Sequence, residues 1–144
     1  METKFVIIII VVLVMIGLFI TIYFIGRRSA KNKIEQVKLP SDQPGGEKLT
    51  AEQAVQVRNI STALHDDMSG WNINIFSRNM VPYNQLMQAS DTMFVAVYND
   101  FNNLYSSENY GSLYKWISEE KSVSSDWRNT AYSILQRMER LNLR

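Results

Sequence analysis

The chain has 144 residues, with 15 basic and 14 acidic side chains, one histidine and no cysteine. Without cysteine it has no disulfides, no thiolate nucleophile and no cysteine zinc site. Residues 1–49 hold 7 of the basic and 4 of the acidic groups, so the remainder is mildly acidic, which argues against a nucleic-acid partner.

The first element is an uncharged apolar run from Phe5 to Ile25. About 21 residues at 1.5 Å each give a helix of roughly 31 Å, the thickness of a bilayer's hydrocarbon core. A helix satisfies its own backbone in lipid, so even this β-branched sequence is expected to be helical there. The run exceeds the apolar region of a secretory signal, and Gly26-Arg27-Arg28-Ser29-Ala30-Lys31 follows it. It therefore reads as a retained single-pass anchor over 5–26, preceded by a short tail, residues 1–4. Arg27, Arg28, Lys31 and Lys33 outweigh Lys4 and the terminal amine, which places the C-terminal part on the cytoplasmic side. The same basic cluster suits anionic lipid headgroups.

Residues 27–49 read as a basic juxtamembrane segment and linker. Leu39-Pro40-Ser41-Asp42-Gln43-Pro44-Gly45-Gly46 supplies turn chemistry and, on the sequence, nothing to pack. A soluble domain over 50–144 follows. Thr50 with Gln53 has the spacing of a capping box, and Val57, Ile60, Leu64 and Met68 trace one helical face from about Ala51 to Met68, with Gly70 as the stop.

Trp71 to Pro82 is expected to be a packed loop, because its alternating Trp71, Ile73 and Ile75 have no second strand to pair with. Pro82 suits the first turn of a short helix through about Gln88. Ser90 caps a third helix, whose wide stripe includes Met93, Phe94, Val97, Tyr98, Phe101, Leu104 and Tyr105. A fourth helix is expected from about Tyr110 to Lys121, burying Leu113, Trp116 and Ile117. Ser124 or Ser125 starts the fifth, with Trp127, Ala131, Ile134, Leu135, Met138 and Leu141 inward. The fold class is all-α: a transmembrane helix, a linker and a small five-helix bundle.

In this order the soluble part resembles a single annexin repeat. The resemblance rests on Ala63-Leu64, Met68-Ser69-Gly70-Trp71, Leu86, Ser90, Val97-Tyr98, Tyr110-Gly111-Ser112-Leu113 and Glu119-Glu120. It implies a right-handed bundle of five short helices. An annexin calcium loop needs a second glycine and a threonine, where Asn72 and Ile73 stand here, so no calcium site is implied.

Candidate chemistry is sparse. His65, Asp66 and Asp67 point about 100° apart on a helix and are expected to be solvated surface. Glu119 and Glu120, beside Lys121, read the same way, and a glycosidase would need carboxyls poised across a cleft. No catalytic residue, metal ligand or cofactor is assigned, and nothing in the anchor indicates or excludes a homo-oligomer.

Trp71, Ile73, Ile75 and Phe76 form the preferred contact patch, since aromatic and apolar groups are enriched at protein interfaces. The expected function is that of a membrane-anchored structural or adaptor protein with lipid and one protein partner. One setting is a virion membrane protein joining an internal lipid membrane to the capsid of a bacterial virus. Alternatives are an accessory subunit of a bacterial envelope complex, a tethered lytic enzyme or a lipid-binding module.

Overall fold

A computed structural model describes residues 34–42, 48–70, 78–120 and 124–144. The apolar run Phe5–Ile25, its flank Arg27, Arg28, Lys31 and Lys33, and the patch Trp71, Ile73, Ile75 and Phe76 lie outside the described residues. Among the described residues there are five α-helices and no strand. They are α1 (Ala51–Ser69), α2 (Met80–Gln88), α3 (Asp91–Tyr105), α4 (Leu113–Glu119) and α5 (Ser125–Arg140). None of these helices is long and apolar enough to cross a membrane.

Each helix begins on a side chain that accepts from the exposed N–H groups of the first turn. Thr50 and Gln53 form the complete capping box at α1; Asn79, Ser90, Ser112 and Ser124 start α2 to α5. Gly70 caps the end of α1 with φ −61, so it stops the helix without entering the left-handed region. The fourth helix is shorter than the sequence suggests. Gly111 sits at φ +84, a turn that only glycine adopts freely, and Ser112 then starts the helix two residues after Tyr110.

The strongest helix pairing is α1 against α3, with α2 packed on α1 and α5, and α4 on α5. Ser61 is fully buried in α1 and donates to the Val97 carbonyl of α3 at 3.3 Å. The core contains Leu64, Tyr83, Leu86, Phe94, Val97, Phe101, Leu113, Trp116, Ile134 and Met138, all fully buried. It also takes in Leu143, which lies beyond the last helix. Asn142 adopts φ 57, Leu143 N–H reaches the Met138 carbonyl at 2.8 Å, and Asn142 N–H reaches Glu139 at 3.1 Å. That Schellman closure folds Leu143 back onto the core, while Leu141, expected inward, is only half-buried at the cap.

Arg137 of α5 closes the corner between α2 and α3. Its guanidinium donates to the carbonyls of Met87 at 2.9 Å and Ala89 at 2.6 Å and to Asp91 Oδ1 at 2.7 Å. It also lies 4.5 Å from the centre of the Phe94 ring. One cation thus satisfies the free carbonyls ending α2 and pairs with the first-turn acid of α3.

Part of the expected linker is attached to the domain. Val37 N–H donates to Asn99 Oδ1 at 2.9 Å, and Asn99 Nδ2 donates to the Val37 carbonyl at 2.6 Å. Val37, Leu39 and Leu49 are partly buried against the core, and Pro40–Asp42 forms a 3₁₀ turn beside α3. The proline–glycine composition conceals this, because two aliphatic side chains set no periodicity.

Replacing fully buried Leu64 by alanine should lower the unfolding free energy by about 3 kcal/mol in chemical denaturation followed by circular dichroism. Tyr132→Ala, at a position 63% exposed, should change it by less than about 0.5 kcal/mol.

Candidate functional site

The contact patch assigned from sequence belongs to residues 71–77, so what the structure describes is the mounting on either side of them. Asp67, on the last turn of α1, points inward; its side chain is 6% exposed. Asp67 Oδ1 accepts from the N–H of Asn79 at 3.1 Å, and Oδ2 accepts from the Tyr83 hydroxyl at 2.8 Å and Arg78 Nη1 at 3.2 Å. Arg78 Nη1 also donates to the Asp67 carbonyl at 2.5 Å, and Nη2 donates to Glu120 at the end of α4. Arg78 is 9% exposed and Glu120 is 14% exposed.

This cluster corrects two sequence readings. Asp67 is not solvated surface, and Glu120 is not a free surface acid. A buried carboxylate must be paired or it forfeits its hydration, and Arg78 supplies a planar fork that reaches two carboxylates at once. Asp67 follows Leu64 by three residues and Ile60 by seven, so it stands on the apolar stripe of α1. That position is the sequence signal for its burial. Glu120 had no such signal, because its partner is 42 residues away in the chain.

His65 is likewise sheltered. Its ring stacks on Tyr105 at 3.8 Å and 8°, and Nε2 lies 2.8 Å from Glu108 Oε2. Asp66 is 72% exposed, so of the three neighbours only Asp66 matches the expected solvated surface. His65 Nδ1 lies 3.5 Å from Asp66 Oδ1, whereas Asp67 turns away from both toward Arg78 and Tyr83. Among the described residues, no group of three or more histidine, aspartate or glutamate side chains converges as a metal would need.

Gly70 and Arg78 flank residues 71–77, and Glu120 precedes residues 121–123. The Asp67–Arg78–Glu120 contacts thus bring the last turn of α1, the residue before the cap of α2 and the end of α4 together. Every charged group of the cluster is engaged internally, so it has the character of a mount.

Burial pushes the Tyr83 hydroxyl above the usual tyrosine range, and the Asp67 carboxylate it donates to pushes it further. Burial also raises Tyr98, whose hydroxyl donates to the Arg144 carbonyl at 3.2 Å. Elsewhere, a groove of about 280 Å³ is lined by Gln56, Asn59, Ile60, Gln85, Gln88, Ala89 and Met93, with no acid, base or nucleophile among them.

Compared with known proteins, the chain matches no family model, no curated protein and no solved structure.

Arg78→Met would leave Asp67 and Glu120 without their cation. The expected loss is about 3–5 kcal/mol in chemical denaturation, the usual result of breaking one side of a buried ion pair. A phenol whose folded pKa is raised contributes stability that is whole below about pH 10 and is lost as pH rises further. Stability should therefore fall on an alkaline limb above about pH 10. Tyr83→Phe should make that limb shallower, with the remaining slope belonging to Tyr98, as read by denaturation midpoints across pH.

Proposed function

We propose that this chain is a non-enzymatic, single-pass membrane protein whose helical domain docks a protein partner. The observation that carries the reading is the uncharged run Phe5–Ile25 followed by Arg27, Arg28, Lys31 and Lys33. That arrangement is the sequence of a spanning helix with a basic cytoplasmic flank. The domain then lies on the cytoplasmic side, and its work is to hold a second component at the membrane.

Trp71, Ile73, Ile75 and Phe76 are the proposed contact residues. The mount supports this choice: with Gly70 and Arg78 tied through Asp67, the segment that bears the patch starts and finishes at defined points. Fixing these two flanks lowers the entropy lost on docking. The setting we favour is a virion in which the domain joins an internal lipid membrane to a capsid shell; an envelope complex of a bacterium is the alternative. A capsid assembling in the cytoplasm meets the cytoplasmic leaflet, which is the side the basic flank selects. The annexin-like arrangement enters as a fold resemblance only, without calcium.

The intact chain should float with lipid vesicles after alkaline carbonate washing, whereas a chain starting at residue 34 should stay in the soluble fraction. Recovery of the intact chain in the soluble fraction would overturn the anchor. A photoreactive residue at Ile75, activated in native membranes, should give one dominant protein adduct. Adducts to lipid alone would indicate a lipid-surface module, and adducts to the chain's own helices would return the patch to the domain.

A further inference from the structure

Among the described residues, the segment 34–42 meets α3 through one side-chain amide and two partly buried aliphatic side chains. The carboxamide of Asn99 pairs with both backbone groups of Val37, and Val37 and Leu39 add partly buried apolar contact. Locally, Asp42 N–H returns to the Leu39 carbonyl at 3.0 Å, and the Asp42 carboxylate accepts from Leu39 N–H at 3.1 Å. No residue of this segment belongs to the fully buried core, which is assembled from residues between Val57 and Leu143. The segment covers the fully buried residues from outside and contributes none of them. A side-chain amide that pairs with extended backbone, backed by two aliphatic side chains, is a latch whose opening unfolds nothing else.

We propose that Val37–Asp42 is a releasable strap that gives the membrane tether two lengths. The proposal rests on the anchored reading of Phe5–Ile25. With the strap seated, about 11 residues separate Ile25 from Val37, a contour of at most roughly 40 Å. With the strap released, about 23 residues separate Ile25 from Leu49, a contour of at most roughly 80 Å. Any pull on the N-terminal side loads the Asn99–Val37 pair before it loads α1, because the strap precedes α1 in the chain. A partner docked beyond the short reach would thus be met by strap release, with the five helices still folded.

The test is native-state hydrogen exchange on the intact chain in detergent micelles. Amides of Val37, Leu39 and Asp42 should be protected, yet exchange at least about 100-fold faster than those of α3, through an opening of their own. Asn99→Ala should abolish protection at Val37 and leave α3 unchanged. Val37→Pro, which removes the N–H donated to Asn99, should lower protection at Leu39 and Asp42 and leave α3 unchanged if Asn99→Ala fails to fold. Exchange of strap and α3 amides at one common rate would overturn the latch, since the segment would then open only with the whole domain.

The tether-length consequence is read in vesicles, by energy transfer from a dye at Gln136→Cys to labelled lipid headgroups. The transfer should fall in the Asn99→Ala background, and unchanged transfer would overturn it. Failure of the anchor itself would appear separately, as no vesicle association for any variant, while the exchange result stands without lipid.

Discussion

A carboxylate at Asp67, turned inward on the last turn of α1, sets the conditions for everything around it. Left unpaired in a dry environment it would cost several kcal/mol. Tyr83, the Asn79 amide and Arg78 offset that cost, and each belongs to the far side of residues 71–77. The start of α2 is therefore fixed by the end of α1. Arg78 extends the same constraint to α4 through Glu120. Removing the charge would not simply delete a pair; it would take the acceptor from the Asn79 amide and the Tyr83 phenol.

Much of the helical framework was legible along the chain. Thr50 with Gln53, Ser90 and Pro82 carry local signals that depend on a few neighbouring residues, and the helices begin there or within a turn. The apolar stripes of α1, α3 and α5 were equally plain, because burial repeats with the helical period. What escaped the sequence depends on partners far away in it. Asn99 meets Val37 across 62 positions, Arg137 meets Met87 across 50, and Arg78 meets Glu120 across 42. A single charge or amide has no periodicity to announce it. Two misses were nonetheless readable. Asp67 lies on an apolar stripe, and Asn142-Leu143 after a helix has the composition of a Schellman closure.

The candidate site shares that division. The composition of the patch and its aromatic character were visible, whereas the device that holds its flanks was not, since it consists of charges that the sequence presents as ordinary surface. The strap is a similar case. Proline and glycine mark the segment as a connector, and the two aliphatic side chains that seat it are too few to register as an element. Both devices place weak local sequence under the control of one well-placed polar residue on a helix.

Arg137 has a further consequence, for the order in which the domain is made. The corner of α2 and α3 is closed by a guanidinium that follows Met87 by 50 residues, and the core needs Leu143 as well. At a synthesis rate of roughly 5–20 residues per second, the corner waits for several seconds after α2 has been made before its carbonyls can be satisfied. Until α5 has been made, the carbonyls of Met87 and Ala89 lack their guanidinium and the core lacks Leu143, so the last residues synthesised complete contacts that the first helices have waited for.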